Sequence, residues 1–264
     1  MTNSVKYCAS SNLLPYSTPE TTPAASAAEV GSNNVVGYAK IDLAEGLNMI
    51  GSQFLNVGAT TKDVNDFIYD GSALAGLDDN WAYQTTMLVW TGTGYTTYGW
   101  LDGEDGTNNE MPEWNNTWLK YDMSDVAVEN MDLGKGVWIN SANAGTITVL
   151  GEVSSADTYT INLNAGLNMI VNPYPSAVSL QEIKTDLDGL NDLWEYQTTL
   201  LRWTGTGYVT YGWLDGEDGT NNEMPEWNNS WLLYDMSGLA DITLNVGEAV
   251  WINAPTAGTV TFTK

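Results

Sequence analysis

Short segments rich in apolar and β-branched residues, separated by glycine-containing turns, run along most of the chain after residue 34. Two of them are NVVGYAKIDL and GLNMIGSQFL, which a turn separates. In YQTTMLVW-TGTG-YTTYGW, two strands rich in Thr and aromatic residues flank a four-residue glycine turn. Such segments suit a half-buried pleated surface, and they predict β-strands and a hairpin. VWIN and TITVL, separated by Gly145, predict another strand pair, which recurs as VWIN and TVTFT around Gly258.

The chain contains an internal duplication. Residues 97–116, TYGWLDGEDGTNNEMPEWNN, recur without change at 210–229, a shift of 113. The same shift pairs all twelve tryptophans, whereas GLNMI at 46–50 recurs at 166–170 with a shift of 120. Self-similarity of this kind indicates one structural unit present twice. We call residues 35–151 copy 1 and residues 152–264 copy 2.

One short helix is predicted in each copy from capping residues that precede apolar side chains. The capping residues are Thr60 and Asp63 in copy 1, and Ser179 and Glu182 in copy 2. The apolar residues that follow are Val64, Phe67 and Ile68 in copy 1, and Leu180, Ile183 and Leu187 in copy 2.

These patterns predict an all-β fold: two tandem homologous β-sandwich or barrel-like modules, 35–151 and 152–264, each with a short helix. The first 34 residues are rich in Ser, Thr, Ala and Pro and have no periodicity. They predict an extended N-terminal arm or linker. It is either a disordered leader or an arm that adds a strand to the sheet edge of a neighbouring subunit.

Charge limits the partners that the chain can bind. The sequence has 33 Asp and Glu against 8 Lys and Arg, a net charge of -25. Such a chain repels phosphate backbones and anionic lipid surfaces and attracts cations, so no nucleic acid is expected as a partner. The apolar runs are too short for membrane insertion. The first twenty residues also lack the apolar core of a signal peptide, so either the sequence is that of a mature or expressed form or the protein is not exported by the signal-peptide route.

The residue types limit the chemistry as well. The chain has no His, which excludes Ser-His-Asp catalysis, Cys-His catalysis and His-ligated zinc. Its one cysteine, Cys8, has no partner for an internal disulfide. It is either an incidental residue or the site of an intermolecular bridge.

An acidic, glycine-containing loop in each copy is a candidate calcium site. Carboxylate and amide oxygens on a sharply bent loop are the ligands that calcium uses, although the spacing is not that of an EF-hand. The alternative is a solvated acidic turn between strands. The candidate ligands are Asp102, Glu104, Asp105, Asn108 and Glu110 in copy 1, and Asp215, Glu217, Asp218, Asn221 and Glu223 in copy 2.

Tryptophans in polar loop sequence are the candidate residues for contact with a ligand or another subunit. EWNNTW and EWNNSW place Trp114, Trp118, Trp227 and Trp231 among polar residues. Exposed indoles stack on sugar rings, so a glycan is a possible ligand. Alternatively, these indoles fill the core and use the ring N–H as a polar handle. Trp138 and Trp251, inside the VWIN segments, are predicted to lie in the core.

Several segments resemble secreted bacterial surface proteins. GLNMIVNPYPSAVSLQEI is similar to a G-x-N-x-I-x-N-P-Y-P-S segment of such proteins. The W-x-G-T-G-Y hairpin and the L-x-x-G-x-x-V-W-I run resemble those of uncharacterised exported repeat proteins. Copy 1 departs from the first motif, because it has Gly-Ser-Gln-Phe where copy 2 has Asn-Pro-Tyr-Pro. The resemblance implies export and β architecture, and it implies no catalytic residue.

The predicted function is therefore a non-catalytic, secreted or cell-surface structural protein. It would be a subunit of a surface layer, adhesin or fibre that self-associates through its β modules and N-terminal arm. The first alternative is a carbohydrate-binding protein that uses exposed tryptophans. The second is a carboxylate glycoside hydrolase, for which Glu104, Glu110 and Glu113 are the available acids.

Overall fold

The fold is all-β. The computed structural model describes residues 36–56, 62–78, 80–102, 111–216 and 224–264, which leaves the predicted N-terminal arm and most of both acidic loops outside the described residues. The strands are β1 (Val36–Leu43), β2 (Gly46–Gly51), β3 (Thr86–Trp90), β4 (Tyr95–Leu101), β5 (Thr117–Lys120), β6 (Gly136–Ser141), β7 (Gly145–Glu152), β8 (Thr158–Leu163), β9 (Gly166–Val171), β10 (Val178–Ser179), β11 (Ile183–Thr185), β12 (Thr199–Trp203), β13 (Tyr208–Leu214), β14 (Ser230–Leu233), β15 (Thr243–Leu244), β16 (Ala249–Ala254) and β17 (Gly258–Thr263).

Two five-stranded antiparallel sheets have the same strand order. The order is β2-β6-β3-β4-β5 in the first sheet and β9-β16-β12-β13-β14 in the second. Each sheet takes all its strands from one sequence copy. The predicted hairpin is confirmed in both sheets, because β3 pairs with β4 and β12 pairs with β13. The domain boundaries proposed from the sequence stay a prediction.

A smaller sheet accompanies each large one and makes the arrangement sandwich-like. In copy 1 this sheet is the pair β1-β7, and in copy 2 it is β11-β17-β8. The inward faces alternate with the outward faces along each strand, as the pleat requires. On β3, for example, Met87 and Val89 lie in the core of copy 1, whereas Leu88 and Trp90 belong to a different cluster on the other face.

One predicted strand pairing is wrong in both copies. VWIN and TITVL are strands, but they do not pair with each other: β6 lies in the five-stranded sheet, and β7 pairs with β1. The adjacent strands of the sequence cross from one sheet of the sandwich to the other. β16 and β17 do the same in copy 2.

The predicted helices are single 3₁₀ turns. The described residues contain four such turns and no longer helix: Val64–Asp66, Pro112–Trp114, Leu180–Glu182 and Pro225–Trp227. The cap of copy 2 forms as predicted, since Ser179 and Glu182 make a reciprocal capping box. The turn ends there because the next residue, the β-branched Ile183, begins β11 and pairs with β17. No helix in the described part of the chain is long and apolar enough to span a bilayer.

The two five-stranded sheets pack against each other through their outer faces, at a contact that we call the seam. Its buried residues are Met49, Trp138, Met169, Val171, Ala249 and Trp251. The indole of Trp90 meets Trp251 edge-on at 5.5 Å, and that of Trp203 meets Trp138 at 5.3 Å. Trp138 and Trp251 are thus buried as predicted, but between the copies.

Hydrogen bonds across the seam occur in equivalent pairs. Nε1 of Trp90 donates to the Leu167 carbonyl at 2.8 Å, and Nε1 of Trp203 donates to the Leu47 carbonyl at 3.0 Å. The backbone N–H of Gly51 donates to Gly247, and that of Val171 donates to Gly134. In each pair, the donor and the acceptor of one bond are the repeat equivalents of the donor and the acceptor of the other. The seam therefore has approximate two-fold symmetry, like the interface of a homodimer.

The residues at the centre of the seam break this symmetry. Gly51 of copy 1 faces its own counterpart in copy 2, Val171: a Cβ at Gly51 would lie 2.6 Å from the Val171 Cγ1. Gly136 faces its counterpart Ala249, and a Cβ there would lie 2.9 Å from that methyl group. At both positions, copy 1 has the glycine and copy 2 has the side chain.

A buried lysine distinguishes the core of copy 1. The Lys62 side chain is 1% exposed, and its Nζ donates to the Leu150 carbonyl at 2.7 Å. Burial lowers the pKa of Lys62 to about 8, although the nearby Asp66 carboxylate opposes that shift. The equivalent residue of copy 2 is Val178, since Lys62 and Val178 each precede the 3₁₀ turn by two residues.

Replacing Lys62 by valine, the residue at the equivalent position 178 of copy 2, is expected to change how stability depends on pH. The folded-state pKa of about 8 lies below the value of 10.5 in the unfolded chain, so the unfolded state binds more protons between these pH values. The wild type should therefore gain about 3 kcal/mol of unfolding free energy relative to Lys62→Val from pH 8 to pH 10.5. Urea denaturation across this range measures the difference. The same substitution at the exposed Lys40 is the control, and an equal slope there would contradict the prediction.

Candidate functional site

The six tryptophan pairs occupy four kinds of environment. Trp100 and Trp118 pack together in the core at 5.1 Å, as do their counterparts in copy 2 at 5.2 Å. Trp90 and Trp138, with their counterparts, make the seam. Trp114 and Trp227 are partly buried in small local clusters. Only Trp81 and Trp194 are classed as exposed among the tryptophans of the described residues, at 41% and 40%.

Two of the four tryptophans predicted to contact a ligand or subunit, Trp118 and Trp231, lie inward, whereas Trp114 and Trp227 are partly exposed. Trp118 and Trp231 are 0% exposed, so neither indole reaches the surface of the chain. Trp231 uses its ring N–H as a polar handle, donating to the Ile183 carbonyl at 2.9 Å. The strand register explains the burial, because Trp118 pairs with Trp100 on adjacent strands. Polar neighbours in the sequence therefore do not indicate that these two indoles are exposed.

The exposed tryptophans have an unusual backbone. The φ angle is 61° at Trp81 and 62° at Trp194, in the left-handed region that bulky side chains rarely adopt. Within the described residues, neither indole makes a hydrogen bond or packs against another aromatic ring. Backbone strain of this kind clusters at functional sites, where the surrounding structure holds it in place.

A short turn fixes each exposed tryptophan. In copy 1, the Asp78 carboxylate accepts hydrogen bonds from the backbone N–H groups of Asn80 and Ala82, at 2.9 and 2.8 Å. The Trp81 N–H donates to the Asp78 carbonyl at 2.9 Å. In copy 2, Asn191 makes the equivalent bonds with its amide oxygen. Asp and Asn are the residues that favour such turns, so the conformation survives the difference in sequence.

Two tyrosines stand beside each turn. Tyr83 follows Trp81 by two residues, and its ring lies 5.7 Å from that of Tyr121 with a tilt of 41°. Tyr196 and Tyr234 repeat this pair at 5.7 Å and 40°. Tyr121 and Tyr234 are each 58% exposed. We call Trp81, Tyr83 and Tyr121 the distal aromatic surface of copy 1, and Trp194, Tyr196 and Tyr234 that of copy 2.

A glycine supports the inner tyrosine of each surface. A Cβ at Gly99 would lie 2.2 Å from the Tyr83 ring, and one at Gly212 would lie 2.3 Å from the Tyr196 ring. The ring can lie flat on the strand because these residues have no side chain. The phenol of Tyr83 donates to the Lys120 carbonyl at 3.4 Å, which holds the ring next to Tyr121.

Acidic groups border both surfaces. Burial raises the pKa of Tyr83 to about 12, with a smaller contribution from the Asp122 carboxylate. Burial raises the pKa of Tyr196 to about 12 as well, with Asp235 in the equivalent role. Hydrogen bonds from the Ser124 side chain and backbone lower the pKa of Asp122. Each surface thus has one neutral phenol, that of Tyr83 or Tyr196, with a charged carboxylate beside it.

The acidic loops begin next to the distal aromatic surfaces. Asp102 Oδ2 accepts a hydrogen bond from the Gly76 N–H at 2.8 Å, and Asp215 Oδ2 accepts one from Gly189 at 2.8 Å. Oδ1 of both carboxylates is buried and has no hydrogen-bond partner within the described residues. The other predicted calcium ligands lie outside the described residues: Glu104, Asp105, Asn108, Glu110, Glu217, Asp218, Asn221 and Glu223.

Two grooves follow the seam, with volumes of about 400 and 360 Å³. Most of their charged and amide groups are already bonded within the protein. Arg202 makes two hydrogen bonds to Glu248, at 2.5 and 3.0 Å, and Lys135 lies 2.7 Å from Glu129. The Asn168 amide donates to the Asn164 carbonyl at 2.7 Å. We therefore assign these groups to the stability of the seam.

The distal aromatic surface is the feature that sequence reasoning missed. Trp81 and Trp194 gave a signal, since they are paired by the repeat and each lies in a short polar stretch, DDNWAYQ or NDLWEYQ. Chemically, the surface offers flat apolar rings among polar groups. Within the described residues, no three Asp, Glu, His or Cys side chains come together as a possible metal site.

Comparison with known proteins gives no relative. No family model, curated protein or solved structure matches the chain.

The close fit between Gly99 and Tyr83 predicts the effect of a methyl group. Gly99→Ala must displace the tyrosine ring, so we expect the unfolding free energy to fall by about 1–3 kcal/mol. Gly94→Ala is the control, because a Cβ at that residue meets nothing within 4 Å. Urea denaturation measures both variants. An equal effect of the two substitutions would show that the Tyr83 ring does not rest on Gly99.

Proposed function

We propose that the chain is a non-catalytic structural protein of the cell exterior, a subunit of a surface layer, adhesin or fibre. The observation that supports this proposal best is the free edge of β8. Within the described part of the chain, this strand, TYTINL, pairs with β17 on one side and lies at the end of its sheet. A free strand edge has unpaired backbone N–H and C=O groups, which another strand can satisfy.

β8 lacks the usual protection of an edge strand. Natural proteins block free edges with charged residues, proline or bulges, whereas β8 has no charge and no proline. Thr158, Thr160 and Asn162 are exposed along it. β1, the equivalent strand of copy 1, carries Lys40 and Asp42. The less protected edge therefore belongs to copy 2, and it is the edge that we assign to subunit contact.

The partner that we propose for this edge is the N-terminal arm of a second copy of the chain. Residues 1–34 precede β1 directly, and strand addition by an extended segment is a common mode of assembly. An edge at one place on the molecule and an arm at another make a heterologous contact. Repeated contacts of this type give an open filament unless the rotation closes a ring.

Charge on β8 is expected to prevent assembly. In the double variant Thr160→Glu, Asn162→Glu, an approaching strand would meet two carboxylates, so polymers should be lost and the melting temperature should change little. Negative-stain microscopy and sedimentation velocity measure the polymers. Val209→Glu is the control, because Val209 is 43% exposed but lies on β13, inside a five-stranded sheet. A wild-type protein that stays monomeric at every concentration would count against the proposal.

Calcium is the ion that we propose for the acidic loops. The supporting observation is the buried, unpartnered Oδ1 of Asp102 and of Asp215 within the described residues. An unpaired buried oxygen costs about 1–3 kcal/mol, and a bound cation would remove that cost. These two residues would supply the first ligand of each loop.

Removal of calcium should lower the melting temperature. A ligand that binds only the folded state stabilises it, so EGTA should destabilise the wild type, and added calcium should restore it. The double variant Asp102→Asn, Asp215→Asn should lose most of this response, whereas Asp192→Asn, at an exposed residue, should keep it. Differential scanning calorimetry gives both values. A melting temperature that does not change when EGTA is added would exclude a stabilising calcium site.

A further inference from the structure

The distal aromatic surfaces have chemistry that the fold does not use. Core packing explains Trp100 and Trp118, and the seam explains Trp90 and Trp138. Neither explains Trp81, whose indole is 41% exposed on a left-handed backbone. Since asparagine or glycine would suit that backbone better, the fold alone gives no reason for an indole in the turn. The same residue on the same backbone occurs in copy 2.

The composition of the surface indicates an amphipathic ligand. The Tyr83 and Tyr121 rings form an apolar pair, and the exposed Trp81 lies two residues from Tyr83 in the chain. The exposed Asn80 and Ser124 and the charged Asp122 are close to these residues in the sequence. A protein interface usually buries about 800 Å² on each side, which a patch built on three rings does not provide alone. A sugar ring is smaller and matches it, because its C–H face is apolar and its rim carries hydroxyl groups. Aromatic rings bind such faces through hydrophobic contact.

Charge excludes nucleic acids and anionic glycans as ligands of these surfaces. Bases stack on indoles and phenols, but nucleic acids also need a cationic groove to hold the phosphates. The chain has a net charge of -25, and Asp122 and Asp235 border the two surfaces. The same charges repel sulfated and uronic acid glycans and anionic membranes. Among glycans, neutral sugar polymers are the class that this charge admits.

We propose that each distal aromatic surface binds a neutral, pyranose-based polysaccharide, with Trp81 and Trp194 as the principal stacking residues. Tyr83 and Tyr121 extend the platform in copy 1, and their counterparts do so in copy 2. Because one chain carries two equivalent sites, a long polysaccharide can engage both. The second contact then forms at a high effective concentration. This binding is independent of strand addition at β8.

The test uses the full chain and three probes: hydroxyethylcellulose, soluble starch and chitohexaose. Affinity electrophoresis in polysaccharide gels and isothermal titration calorimetry measure binding, in protein solutions dilute enough to be monomeric by sedimentation. The variants are Trp81→Asn, Trp194→Asn and their combination, since asparagine accepts the left-handed backbone and preserves the turn. Tyr69→Ala is the control, because Tyr69 is 71% exposed but outside both surfaces.

We expect at least one probe to bind the wild type and the Tyr69→Ala variant equally. Each single variant should bind the polymer at least tenfold more weakly, because avidity is lost, and the double variant should not bind. Circular dichroism and the melting temperature show whether the variants are folded. If no probe binds, or if the folded double variant binds like the wild type, the proposal is wrong. Loss of self-association in the double variant without any glycan binding would assign the surface to protein contact and also overturn it.

Discussion

The packing of one five-stranded sheet on the other is the contact on which the arrangement of the molecule depends. Its energy comes from four edge-to-face indoles that are buried or partly buried, with two ring N–H groups that donate across the contact. Trp90, Trp203 and Trp251 thus remove apolar area from water while the ring N–H stays bonded. The outer face of a β-sandwich is usually exposed to solvent. In this molecule, part of that face is buried in the seam.

The seam determines which surfaces remain for function. On the outer face of each large sheet, the strands nearest the seam contact the other copy, and the far strands carry a local cluster around Leu77, Leu101 and Leu119 or their counterparts. The groups that neither the cores nor the seam bury lie at the ends of the large sheets far from the seam, beside the acidic loops, and along the free edges of the small sheets. Both proposals place their contacts there, and neither requires the two copies to move.

The sequence predicts local structure well and long-range pairing poorly. The repeat, the hairpin β3-β4 and the cap at Ser179 follow from short patterns, and each is present. The crossing from β6 to β7 could not be predicted, since a glycine between two strands indicates a turn but not which sheets they join. The seam could not be predicted for a related reason. Val89 and Trp90 are both apolar and adjacent on β3, and the sequence does not show that Val89 faces the core whereas Trp90 faces copy 2. Exposure of Trp81 depends on its backbone conformation, which composition does not indicate.

The glycine and valine at the centre of the seam have a consequence for how duplicated faces recognise each other. On an approximate two-fold axis, a residue meets its own equivalent, so identical copies would place glycine against glycine or valine against valine. The first combination leaves a void, and the second overfills the same space. Only glycine opposite valine fills this space without overlap. Because residues 51 and 171 differ, the seam face of copy 1 fits the seam face of copy 2 in the same chain better than it would fit an identical face.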